Sequence, residues 1–163
     1  MEYTLEVLRL SSQFNKDYPK DTYPELMHKQ GRPYTCLLID LHCDYFICIP
    51  FRSSIKHKNA FMFTGTKRSK RTHSGLDYSK IAIIKNTDYF DRDTPAVVDQ
   101  DEYNEMRNNI QTIVNDADSY VSTYINHITG TKLLHPRAFS RKYQYSTLPY
   151  FHDIMGITIL HIQ

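Results

Sequence analysis

The sequence predicts a single α+β domain with a twisted antiparallel sheet. Several short β-rich runs come first, and one long stretch of helical apolar spacing follows them. A length of 163 residues with 40% hydrophobic content matches one domain with one core.

Tyr3 to Leu10 alternates imperfectly and reads as an opening strand. Residues 11 to 33 are polar and punctuated by Pro19, Pro24, Gly31 and Pro33, which predicts a long loop with at most one helical turn around Glu25-Leu26-Met27. Tyr34 to Leu41 and Tyr45 to Phe51 are apolar β-rich runs separated by His42-Cys43-Asp44, the pattern of a hairpin. Phe61-Met62-Phe63 is a short apolar run. Gly65 to Gly75 is a cationic connection, expected to stay mobile until an anion orders it. Tyr78 to Lys85 contains Ile81-Ala82-Ile83-Ile84, an interior strand by composition.

The clearest helix starts at Asp99. Asp99 and Glu102 form a capping box, and Val98 is placed to staple against Tyr103. Apolar positions at Met106, Ile110, Ile113, Val114, Ala117, Val121, Tyr124 and Ile128 keep one helical face through to Gly130. The acids on the opposite face read as a solvated surface. A shorter helix is expected from Ser146 through Pro149, Phe151 and Met155 to Gly156, and residues 156 to 163 suit one more strand.

Charge is segregated along the chain. The net charge is +2, yet Tyr45 to Leu76 holds no acid and seven cations: Arg52, Lys56, Lys58, Lys67, Arg68, Lys70 and Arg71. Residues 88 to 118 carry nine acids against Arg92 and Arg107, and residues 119 to 152 are again free of acids. Such a basic stretch points to a polyanionic partner. Cys36, Cys43 and Cys48 lack metal-like spacing and lie in apolar runs, so they read as buried thiols in a reducing, cytoplasmic setting, with no leader sequence in view. No apolar run reaches the ~20 residues of a membrane span. His28, His42, His73, His127 and His135 show no ligand spacing, and no glycine-rich phosphate loop is present. No cofactor is expected.

The chemistry-bearing stretch is Ile47 to Lys58, where an apolar strand runs into hydroxyl, imidazole and cationic groups. Cleaving RNA through its 2′-hydroxyl requires removal of that proton, stabilisation of the phosphorane and a proton for the departing 5′-oxygen. Ser53 and Ser54 offer hydroxyls, Arg52 and Lys56 offer cationic donors, and His57 is a candidate acid or base. Lys58, Lys67, Arg68, Lys70, Arg71 and Lys80 are candidate contacts to an RNA backbone. Arg137, Arg141 and Lys142 form a second candidate surface.

Three places in the first half of the chain resemble the ToxN/AbiQ family, the endoribonuclease toxins of type III toxin-antitoxin systems, and are nearest its CptN branch. They are Leu10-Ser11-Ser12-Gln13-Phe14, the stretch from Tyr45 to His57, and Gly75-Leu76-Asp77-Tyr78-Ser79-Lys80. The resemblance implies a strongly twisted, barrel-like sheet with a long helix and a shorter C-terminal helix packed on it. It also implies metal-independent RNA cleavage leaving a 2′,3′-cyclic phosphate. The implied partners are a repetitive pseudoknot antitoxin RNA, which the toxin processes and which holds it in a closed protein–RNA assembly, and cellular or phage RNA as substrate. Phe14 carries over as a stacking residue only.

The family pattern Pro-Leu-Thr-Ser-x-Lys matches in two registers. An ungapped match from Pro50 sets Arg52 at the threonine and Ile55 at the lysine, whereas a shift of one residue matches Ser53-Ser54-Ile55-Lys56. Ser53 and Ser54 therefore both stand as candidates. Two rival readings are an RNA-binding module without catalysis and a metal-dependent nuclease using Asp88, Asp91 and Asp93.

Overall fold

A computed structural model describes residues 2–39 and 44–158. Strands β1 (Tyr3–Leu10), β2 (Pro33–Ile39), β3 (Phe46–Arg52), β4 (Ala60–Met62), β5 (Gly75–Asp77), β6 (Ala82–Ile84) and β7 (Phe90–Asp91) form one antiparallel sheet. Its order is β4-β5-β3-β2-β1-β7, with β6 added to β3. The α+β class and the antiparallel sheet are as expected. Among the described residues the sheet is open, with β4 and β7 at its ends, so the barrel-like closure expected from the resemblance is not seen there.

β3 organises the molecule because three strands share it. Its Tyr34-facing side pairs with β2 from Ile47 to Pro50, its start pairs with β6, and its end pairs with β5 through Phe51↔Leu76 and Arg52↔Gly75. Hydrophobic residues on both faces explain why β3 reads as an unbroken apolar run. Cys36 and Cys48 are opposite each other in the β2–β3 register and fully buried, and burial raises the Cys48 thiol well above its ordinary range. The hairpin turn and Cys43 lie outside the described residues. Gly75 is required where it stands, since a Cβ there would sit 2.1 Å from the Phe61 carbonyl oxygen across the β4–β5 pair.

The 11–33 segment contains a helix, α1 (Ser12–Asp17), and only turns around Pro24–Leu26. The helical turn forms earlier than expected because Phe14 anchors it in the core. The predicted long helix is two: α2 (Gln100–Asn108) and α3 (Ile110–Ile128). At Asn109 the side-chain amide donates to the Glu105 carbonyl at 2.8 Å and the backbone leaves helical geometry. The apolar phase survives this break, which is why spacing alone does not reveal it. α3 buries Ile113, Val114, Ala117, Tyr120, Val121 and Tyr124, and Gly130 (φ +77°) follows its end.

A further helix, α4 (Pro136–Tyr143), was not anticipated. His135 accepts the Arg137 N–H at 3.2 Å and Pro136 occupies the first turn, a start signal legible in the sequence. The helix expected from Ser146 is instead a 3-10 turn over Leu148–Phe151 followed by turns to Gly156. Tertiary bonds compete with it: the Thr147 N–H donates to the Ser79 carbonyl at 3.0 Å, and its hydroxyl donates to the Ile81 carbonyl. Residues 157 and 158 form no strand, and the rest of that expected strand lies outside the described residues. No helix among the described residues is long and apolar enough to cross a membrane.

Candidate functional site

β3 delivers Arg52 and Ser53 to the sheet end, and the chain then turns sharply. Ser54 has φ +57°, the left-handed region that costs a non-glycine residue on the order of 1 kcal/mol. The turn is held because Ile55 is buried and its N–H donates to the His73 carbonyl at 2.8 Å. Burial of Ile55 leaves Lys56 as the exposed cation of this turn, followed by His57 and Lys58, both exposed.

Arg52 and His57 converge on Asp77, the first acid after the cationic run. Asp77 is completely buried at the end of β5. Its carboxylate accepts from Arg52 Nη1 at 2.7 Å, His57 Nε2 at 3.2 Å, Ser79 Oγ at 2.6 Å and the Ser79 N–H at 3.0 Å. A buried carboxylate with its lone pairs occupied in this way is a fixed structural anion. The Asn59 N–H donates to His57 Nδ1 at 3.1 Å. Nδ1 is therefore the unprotonated nitrogen, and Nε2 carries the hydrogen directed at Asp77 and, at 3.3 Å, at Ser79 Oγ. Both ring nitrogens are thus engaged within the protein, an arrangement that positions the imidazole beside Asp77 and Ser79. Asp77 and Ser79 were missed as site residues. Their signal was the position of Asp77 at the border of the acid-free run.

Arg52 and Ser53 line a cleft of ≈ 530 Å³ together with Gln30, Arg32, Arg68 and Val97. Ser54 is exposed and does not line it. Arg32 donates to the Phe51 carbonyl at 2.8 Å, and burial lowers its pKa from the ordinary guanidinium value. It too was missed, because it lies in a stretch that reads only as polar loop.

The other predicted contacts divide. Lys67, Lys70, Arg71, Arg137 and Arg141 are exposed. Lys142 is half-buried, with its ammonium 5.9 Å from the Tyr120 ring centroid and 5.8 Å from that of Tyr143. The Lys142 carbonyl accepts from Asn59 Nδ2 at 3.1 Å, which ties α4 to the His57 turn. Arg68 is paired with Asp99 at 3.0 Å and Glu102 at 3.2 Å. The capping box expected of Asp99 and Glu102 is absent, since Asp99 makes no cap bond and both carboxylates face Arg68. Val98 packs against the core and Tyr103 is exposed.

Two expectations are corrected outright. Lys80 is buried, donating to Glu25 Oε2 at 2.6 Å and the Tyr145 carbonyl at 2.9 Å, so it cannot reach an RNA backbone. Phe14 is 1% exposed, stacked on Tyr18 at 4.7 Å and T-shaped to Tyr89 at 5.5 Å, so its buried ring is not open to a base. The cationic 64–71 connection is held by the chain's own carboxylates. Glu105 accepts from the Thr64 and Gly65 N–H groups, and Asp101 accepts from the Lys67 N–H at 2.9 Å. These α2 acids are therefore engaged, not merely solvated.

Asp91 closes a turn by accepting from the Asp93 and Thr94 N–H groups, each at 3.1 Å. Among the described residues no group of three or more His, Cys, Asp or Glu is placed to hold a metal ion. No family model matches the chain, and no curated protein or solved structure matches it either.

Proposed function

We propose that the protein is a metal-independent endoribonuclease of the ToxN/AbiQ kind, a toxin that processes and is inhibited by a repetitive pseudoknot RNA. The observation that carries this reading is the convergence of Arg52 and Ser53 on one cleft beside the exposed Lys56 turn. The Asp77 network holds Arg52 in place.

In this reading the 2′-hydroxyl gives up its proton to water, its oxygen attacks phosphorus, the P–O5′ bond breaks, and the 5′-oxygen takes a proton from water, leaving a 2′,3′-cyclic phosphate. Ser53 orients the 2′-hydroxyl, Lys56 stabilises the phosphorane, and Arg52 grips the phosphate. His57 fixes the turn. The exposed Lys58, Lys67, Lys70 and Arg71 draw in the RNA backbone.

The test is incubation of the full chain with single-stranded RNA in EDTA. Products ending in cyclic phosphate are expected, with none from Lys56→Ala although that variant still binds RNA. Cleavage at the wild-type rate by Lys56→Ala removes Lys56 from the mechanism.

A second reading, an RNA-binding module without catalysis, is favoured by His57, whose two nitrogens are both occupied. Intact RNA with a salt-dependent mobility shift would select it.

A further inference from the structure

Three guanidiniums line the ≈ 530 Å³ cleft, and they are not equivalent. Arg52 is matched by Asp77, and Arg68 by Asp99 and Glu102. Arg32 has no carboxylate ion-paired to it among the described residues. One of its terminal nitrogens bonds the Phe51 carbonyl, and its buried Nε has no partner. Asp77 is nearby but already accepts from Arg52, His57 and Ser79. A half-buried cation without its anion bears a desolvation cost that an incoming anion would relieve, and the guanidinium fork fits a phosphodiester. The lowered pKa of Arg32 has the same origin in burial.

The cleft also has an apolar wall. Val97 lines it while remaining 83% exposed, and Met27 and Val98 line it as well. Gln30 supplies an amide able both to donate and to accept at a base edge. The volume lies within the roughly 300–1,000 Å³ of small-ligand sites. A cation, an apolar wall and an amide together suit a nucleotide better than an inorganic anion. The carboxylates of Asp99 and Glu102 on the same lining disfavour a second phosphate there.

We propose that this cleft is a pocket for one nucleotide of single-stranded RNA, with Arg32 on its phosphate and its base against Met27 and Val97. The proposal rests on the endoribonuclease reading and deepens it. Ser53 shares the lining, so the bound nucleotide adjoins the scissile phosphate and Gln30 contributes base preference there.

The test is binding of a labelled, 2′-O-methylated single-stranded RNA, which cannot be cut, to the full chain and three variants. Arg32→Gln is expected to weaken binding about tenfold and to lower the slope of log K against log salt by about one. Val97→Asp, at an exposed position where folding is not at stake, is expected to weaken binding by about the same factor. Leu133→Asp, equally charged and 69% exposed but outside the cleft, leaves binding unchanged. If wild type cuts unmodified RNA while Arg32→Gln and Val97→Asp bind the methylated RNA as tightly as it does, the pocket is refuted and the enzyme reading stands; a wild type that binds RNA but never cuts it overturns the enzyme reading on which the proposal rests. A wild-type chain that neither binds nor cuts RNA overturns both. Competition by free AMP at the affinity of the RNA would make this a mononucleotide site and also refute the proposal.

Discussion

Arg52 and Asp77 meet across the β3–β5 pair at 2.7 Å, with the carboxylate completely buried and the guanidinium still reaching the cleft. One residue of the ion pair is thus structural and the other faces any ligand. The backbone pairing of Arg52 with Gly75 sets this geometry, and Gly75 permits the close β4–β5 approach that completes it.

Asp77→Asn removes the anion shared by Arg52 and His57. Loss of about 3 kcal/mol of stability is expected, the low end of the range for broken buried pairs, because Arg52 is 30% exposed and can rehydrate. Urea denaturation measures it. A midpoint equal to wild type would show that the network does not stabilise the fold.

His57→Gln keeps a donor near Asp77 but loses the ring. If His57 only positions the turn, RNA cleavage slows while kcat/KM keeps the wild-type dependence on pH. Disappearance of one limb of that profile would return His57 to acid–base catalysis.

Lys80→Met replaces a buried ion pair by an apolar chain of similar length and leaves Glu25, whose side chain is 35% exposed, free to hydrate. A small stability change of about 1 kcal/mol or less is expected, with no change in the salt slope of RNA binding. A reduced slope would restore Lys80 as a phosphate contact.

His152 shares a 2.6 Å hydrogen bond with the Tyr124 hydroxyl, and burial lowers its pKa from the ordinary 6.5. The unfolded chain therefore binds this proton more readily than the folded one, so stability rises with pH through this window. The contribution is complete above the ordinary value and is lost as pH falls below it toward the lowered one. Melting temperature followed from about pH 5 to 8 is expected to drop on the acid side, and the drop should be smaller in His152→Gln. An identical acid-side slope in that variant would assign the effect to other groups.

Much of the sheet was legible because strand patterns are local. β1 coincides with its predicted span, the β2–β3 hairpin strands pair as expected, and Ile81 to Ile84 are all buried. The helical phase from Met106 to Ile128 was legible for the same reason, although Asn109 interrupts the helix without disturbing that phase. α4 carried a readable start in His135-Pro136, but its sequence lacks the long apolar stripe that marks α3.

By itself, the sequence determined the α+β class with an antiparallel sheet, the strands ahead of the long helical stretch, and the placement of Arg52, Ser53 and Lys56 at a strand exit. Only the tertiary structure decided which charges remain available to a ligand. Lys80 is neutralised by Glu25, 55 residues away, and Arg52 is fixed by Asp77, 25 residues away, whereas Arg32 has no carboxylate ion-paired to it among the described residues. Coulomb interaction depends on distance in space and on burial, neither of which follows from spacing along the chain.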